Sequence, residues 1–192
     1  MIHEAFEYMA AHPVPGVLCE FGVWQGAGLA AIAQCADRFL GGGIPIYGFD
    51  SFEGMPVTGV IFHDDMAVDW RPGGYADTSM EMAQTLVPAA HLIKGVFGDL
   101  APLSAFGVDK VRFARIDCDI YEGYRDALRL LTPCISSGTV LLFDEGVAPD
   151  DPRFHDGIQD SGERAIREWC ETTGAKLKVL QNRWTESLTV LV

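Results

Sequence analysis

The chain has 192 residues, 48% of them hydrophobic, enough for one domain with a full-sized core. A formal net charge of −13 and a pI near 4.6 exclude nucleic acid and anionic membrane surfaces as expected partners, because phosphate binding runs on clustered Lys and Arg. No apolar run approaches the roughly 20 residues of a membrane span, and the N-terminus, with Glu4 and Glu7, lacks the basic-then-apolar order of a signal peptide, so the expected address is cytoplasmic.

Strand and helix patterns alternate along the chain. A short apolar run over 17–20 ends in Glu20 and reads as a strand. A glycine-rich turn follows, Gly22-Val23-Trp24-Gln25-Gly26-Ala27-Gly28, then an Ala- and Leu-rich helix to Leu40, which Gly41-Gly42-Gly43 ends. A second strand, over about 44–50, closes on Asp50. Residues 55–74 are irregular, with Pro56, Pro72 and several glycines, and a stretch of that length is expected to be a functional lid. Then come a helix over 78–86, a strand over 91–97, a strand ending at Asp117, a helix over 124–131, a strand ending at Asp144 and a helix over 162–172. The last two strands, 176–180 and 187–192, are too close for a crossover and predict an antiparallel hairpin. The result is an α/β fold with a seven-stranded, mostly parallel sheet, one reversed strand and helices on both faces. This is the Rossmann-like architecture of class I methyltransferases, expected here as one domain over 1–192.

Cys19, Cys35, Cys118, Cys134 and Cys170 cannot all pair and show no C-x-x-C spacing, so they are read as reduced. Cys19 and Cys118 lie in or at strands, where Cys is ordinarily a small buried hydrophobe.

In parallel sheets ligands bind outside the carboxyl ends of the strands, and here those ends carry Glu20, Asp50, Asp117, Asp119, Asp144 and Glu145. Gly22 and Gly26 let backbone approach a ligand, while the turn is not G-x-G-x-x-G and holds no basic residue for a pyrophosphate, which disfavours a dinucleotide. Asp50, thirty residues after Glu20, is placed to bind ribose hydroxyls. Ribose without pyrophosphate suits S-adenosylmethionine, with Asp99 a candidate for the adenine amino group. Helix packing alone would account for Gly26, and helix capping for Asp99.

Four segments carry a resemblance. Glu20-Phe21-Gly22-Val23-Trp24, Gly48-Phe49-Asp50-Ser51-Phe52-Glu53-Gly54-Met55-Pro56, Ile116-Asp117-Cys118-Asp119-Ile120-Tyr121 and Phe143-Asp144-Glu145 resemble the signature segments of the macrocin O-methyltransferase family. The similarity extends to Asp69-Trp70-x-x-Gly73 and Gly162-x-x-x-Ala165. It implies S-adenosylmethionine, a divalent cation (usually magnesium) and a hydroxyl acceptor on a sugar or sugar-bearing natural product. It also implies that Glu20 and Gly22 line the methionine end of the cofactor, that Asp50 meets the ribose and that Ser51 sits beside it. The segment before Gly16 is short for the antibiotic members, whose extra helices help assembly; a homo-oligomer stays among the expectations.

The acids themselves fit that chemistry. Asp117 and Asp144, at neighbouring strand ends, can converge on one hard cation, with Glu145 a third ligand. Asp119 points toward the same place and is the candidate general base for a hydroxyl whose acidity a cation raises. The family commonly carries two aspartates where this chain has Asp144-Glu145, and the longer side chain reaches the metal differently. Aspartates at strand ends also serve simply as caps and turns. His63, Asp64, Asp65, His155, Asp156 and Trp184 are weaker candidates for acceptor contact. The competing readings are a catechol-type O-methyltransferase and a non-catalytic S-adenosylmethionine-binding protein.

Overall fold

A computed structural model of the chain describes residues 1–56, 72–144, 162–183 and 186–192. The elements run α1 (Ile2–Ala11), β1 (Val17–Phe21), α2 (Ala27–Leu40), β2 (Ile46–Asp50), α3 (Met80–Leu86), β3 (His91–Lys94), β4 (Val111–Ile116), α4 (Tyr121–Leu131), β5 (Val140–Phe143), α5 (Gly162–Thr173), β6 (Leu177–Arg183) and β7 (Glu186–Leu191). The strands form a seven-stranded sheet ordered β3-β2-β1-β4-β5-β7-β6, in which β7 runs antiparallel to both its neighbours and the other pairings are parallel. This is the mostly parallel α/β sheet that the strand spacing predicts.

Side chains alternate across each strand, so the sheet divides the core in two. On one face Cys19, Phe21, Phe49, Ile116, Leu141 and Phe143 pack against α4 and α5. On the other, Leu18, Ile46, Phe113 and Leu142 pack against α1, α2 and α3. The second face is the one to which Glu20, Arg115, Asp117 and Asp144 belong by the same alternation.

The helices fit their faces for local reasons. In α4, buried Tyr124, Ala127, Leu128 and Leu131 recur at three- and four-residue spacing, and the Tyr124 hydroxyl donates to the Ile116 carbonyl (3.1 Å). Gly41, at φ 81°, ends α2 as the sequence predicts, with Gly42 N–H donating to the Ala36 carbonyl (3.2 Å), while Ser79 caps α3 by accepting from Met82 N–H (3.2 Å). Helix α1 is an addition to the predicted elements: Ala5, Phe6 and Met9 are fully buried against α2, and the Phe6 ring lies 5.3 Å from that of Phe113. No helix among the described residues is long and apolar enough to cross a membrane.

No disulfide joins the five cysteines, and burial pushes the Cys19 thiol up, away from the reactive thiolate.

Candidate active site

Register builds the site. Glu20 of β1 lies opposite Arg115 of β4, and Arg115 is two residues before Asp117, so all three share a face. Arg115 lies opposite Leu142 of β5, and Asp144, two residues beyond Leu142, falls on that face as well. The Arg115 guanidinium therefore reaches three carboxylates: Glu20 Oε1 at 2.9 Å, Asp117 Oδ2 at 2.6 Å and Asp144 Oδ1 at 2.7 Å. The sequence reading passed over Arg115 as part of an apolar run. A charged residue inside a buried strand, two before an aspartate, was the signal.

Helix α2 closes over this cluster. A Cβ on Gly28 would lie 2.1 Å from Glu20 Oε1 and 2.6 Å from Arg115 Nη1, so only glycine lets the first turn of the helix settle on the ion pair. Glu20 is fully buried, and its Oε2 has no hydrogen-bond partner among the described residues. Burial raises its carboxyl from 4.5 to about 8; the Arg115 charge opposes that rise and the Asp117 and Asp144 charges add to it.

Asp117 and Asp119 are half-buried at the end of β4. Burial raises Asp117 from 3.8 to about 6, against the pull of Arg115 and with the push of Asp144, a neighbour near enough to share a proton with it. Asp119 is raised from 3.8 to about 7, first by burial and then by the charges of Asp117 and Asp144. Its backbone is left-handed, φ 60°, a conformation costing about 1–2 kcal/mol outside glycine. Trp24 (φ 48°), Phe52 (φ 52°) and Tyr75 (φ 55°) share it, and Trp24 and Phe52 directly follow the sheet's carboxyl edge. Such strain gathers where surroundings over-determine a functional geometry.

The glycine turn is held from beneath by Asp50. Its Oδ2 accepts from Val23 N–H (2.7 Å) and Trp24 N–H (2.9 Å), and its Oδ1 accepts from Phe52 N–H (2.7 Å). These bonds brace the turn at the residue that the sequence offers as the ribose partner. Ser51 accepts from Glu53 N–H at 3.2 Å within the turn after β2. Gly26, at φ 97°, starts α2 and lies against α3, where a Cβ would meet Ala83 Cα at 2.9 Å. Asp99 is exposed in the 3-10 turn Phe97–Asp99, beyond the end of β3. Glu145, most of the 55–74 stretch with His63, Asp64, Asp65, Asp69 and Trp70, and also His155, Asp156 and Trp184, lie outside the described residues.

Gly22 pins the two central strands together. At φ 87°, its Cβ position falls 1.6 Å from the Asp117 carbonyl oxygen, inside bonding range. Gly22→Ala is therefore expected to cost about 2 kcal/mol or more through backbone strain and displacement of β4. Thermal melting checks it, and an unchanged midpoint would show that the strand ends are not so tightly joined.

The donor set bears on the implied cofactor and cation. Glu20 Oε2, buried and unpartnered among the described residues, is a polar atom available to a cofactor at the end of β1. Asp117 and Asp144 supply two oxygen donors suited to a hard cation, and Glu20, Asp117, Asp119 and Asp144 outweigh the Arg115 charge beside them. Among the described residues no three His, Cys, Asp or Glu side chains gather as a complete metal cage. Surface depressions of about 420 Å³ near Trp169 and about 390 Å³ near His91 lie elsewhere.

Comparison with known proteins gives the family and the fold. Residues 1–156 match the family described as Macrocin-O-methyltransferase (TylF). The chain is 30% identical over 155 residues to the 8-demethyl-8-(2,3-dimethoxy-alpha-L-rhamnosyl)-tetracenomycin-C 4'-O-methyltransferase of Streptomyces olivaceus, covering 72% of this chain and 56% of that protein. It is 27% identical over 159 residues to the demethyldecarbamoylnovobiocin O-methyltransferase of Streptomyces niveus, covering 75% of this chain and 58% of that protein. The chain thus spans just over half the length of these curated relatives. Its fold is similar to that of the calicheamicin methyltransferase CalS11 (TM-score 0.74, 22% identity, 98% of this chain and 76% of that one). It is similar also to the O-methyltransferase NovP (TM-score 0.72, 21% identity, 98% of this chain and 77% of that one). The fold is that of class I methyltransferases, and the chain belongs to the macrocin O-methyltransferase family.

Proposed function

We propose that this protein transfers a methyl group from S-adenosylmethionine to a hydroxyl of a sugar or sugar-bearing small molecule, assisted by a divalent cation. The observation that carries the reading is the gathering of Glu20, Asp117, Asp119 and Asp144 at one carboxyl edge of the sheet, beside a glycine turn braced by Asp50. The similarity to O-methyltransferases named for a rhamnosyl-tetracenomycin and for demethyldecarbamoylnovobiocin supports the acceptor class.

When bound, S-adenosylmethionine supplies an electrophilic methyl carbon, and a divalent cation supplies positive charge that acidifies a hydroxyl. The residues of this chain do the rest. The Gly22 turn and Asp50 would hold the nucleoside, with Glu20 Oε2 toward the methionine end and Ser51 next to the ribose. Asp117 and Asp144 would hold the cation, with Glu145 following Asp144 in sequence. Asp119 would accept the proton of the acceptor hydroxyl on its carboxylate; a carboxyl raised to about 7 is a stronger base than an ordinary aspartate. Asp99 keeps its candidacy for the adenine amino group. Alignment of the reacting atoms supplies much of the remaining acceleration, about 7 kcal/mol or more in well-oriented systems.

The direct test is incubation with methyl-labelled S-adenosylmethionine and a panel of deoxysugar-bearing acceptors, with and without magnesium. Label in an acceptor ether, dependent on both additions, supports the reading. Transfer only to catechols would move the acceptor class, and cofactor binding without turnover on any hydroxyl panel would favour a binding protein.

The cation also has a signature in stability. Folding raises Glu20 from 4.5 to about 8, Asp117 from 3.8 to about 6 and Asp119 from 3.8 to about 7. The folded form thus keeps protons that the unfolded chain has shed, and the cluster's contribution to stability falls as pH rises from about 4 to about 8. A cation bound by the ionised acids offsets that loss. Magnesium is expected to raise the melting temperature more at about pH 8 than at about pH 5.5. Equal shifts at both values would place any bound magnesium away from these acids.

A further inference from the structure

We propose that Asp77 is a positioning residue for the cofactor, clamping the glycine turn from outside while Asp50 braces it from beneath. The inference rests on the reading of this edge as an S-adenosylmethionine site. It concerns a residue that lies fifty-odd positions along the chain from the turn it holds.

The turn between β1 and α2 is left-handed at Gly22 (φ 87°), Trp24 (φ 48°) and Gly26 (φ 97°), a geometry that glycine adopts freely and that strains the backbone only at Trp24. For Trp24 that conformation carries a cost which persists only where neighbours fix it. Asp77 does much of the fixing. Its Oδ1 accepts from the Trp24 indole Nε1–H (2.9 Å), its Oδ2 accepts from the Gln25 amide (3.0 Å), and its backbone carbonyl accepts from the same amide (2.9 Å). The next residue adds a fourth tie, the Thr78 hydroxyl donating to the Trp24 carbonyl (2.6 Å). The Tyr75 ring stands edge-on to Trp24, centroids 5.6 Å apart.

The segment that delivers Asp77 is itself anchored. Met55 N–H donates to the Gly74 carbonyl (2.7 Å) and Gly73 N–H to the Met55 carbonyl (3.1 Å), so the chain leaves β2 and returns at one fixed place. From there it runs past the turn to the Ser79 cap of α3. Trp24 is 39% exposed and Asp77 is exposed, so these ties bury little and contribute little to overall stability. What they fix is the shape of the turn, and a preorganised turn binds its ligand with less ordering cost.

Calorimetric titration of the whole chain with S-adenosylhomocysteine tests this. Asp77→Ala is expected to raise Kd about tenfold while the melting temperature moves by only a few degrees. Asp77→Asn keeps an oxygen for the indole N–H but turns an amide toward Gln25, and should fall between Ala and the unchanged protein. Trp24→Phe removes the indole donor and keeps a ring; combined with Asp77→Ala it should add less than it does alone, because both changes break one tie. Should the Ala variant not fold, Trp24→Phe carries the same test. An Asp77→Ala protein that binds normally, or effects of Asp77 and Trp24 that simply add, overturns the inference and leaves the cofactor reading standing. Failure of the unchanged protein to bind overturns that reading, and this inference with it.

Discussion

Asp119→Asn is expected to cut turnover by about 10² to 10⁴ while leaving cofactor affinity close to that of the unchanged protein and the melting temperature no lower. The reason is placement. Asp119 stands beyond the Arg115 ion cluster, half-buried, with a left-handed backbone and a carboxyl raised to about 7, and Asn preserves its size without its basicity. Asp117→Asn should behave differently, because Asp117 is bonded to Arg115 at 2.6 Å and lies against Asp144. Its loss should weaken magnesium binding, and excess magnesium should restore part of the rate. A magnesium titration of activity on both variants separates the roles. Rescue of Asp119→Asn by magnesium, with none for Asp117→Asn, would exchange them.

Arg115→Met is expected to destabilise the fold by about 3–5 kcal/mol at pH 8, the cost of removing one partner from a buried ion cluster. Glu20 is fully buried and Asp117 and Asp144 are half-buried, so none of them can regain full hydration when the guanidinium goes. In a chain of this length the loss should appear as a fall of roughly 10 °C in melting temperature. The sign of the pH effect follows from the same charges: lowering the pH toward about 5.5 protonates carboxyls already raised by burial, removes their repulsion and recovers much of the loss. A loss under 1 kcal/mol, or one independent of pH, would mean that Arg115 is not what balances these acids.

The fold was legible because its signals are local and repeated. Apolar runs ending in Glu20, Asp50, Asp117 and Asp144 mark parallel strands, and the short interval before the last strand marks the hairpin. Helix α1 escaped because Ala5, Phe6 and Met9 make a three-residue apolar stripe whose value depends on α2 and Phe113 being there to cover it. At the site, the acids could be read from strand ends, but their partners could not. Arg115 meets Glu20 only through the β1–β4 register, and Gly28 matters only because α2 lies down on that pair. Asp50 shows the same limit from the other side: its chemistry was visible, while its three bonds to turn N–H groups depend on how the chain bends after β1. Asp77 offered no signal, since nothing near it in sequence names Trp24 as its partner.

The measurement that bears most directly on the account is a crystal structure of the protein soaked with S-adenosylhomocysteine and magnesium. The nucleoside is expected against the Gly22 turn and Asp50, the cation on Asp117 and Asp144, and the sulfur facing Asp119 across a space open to an acceptor hydroxyl. A nucleoside seated away from that turn, or a cation bound without either aspartate, would contradict it.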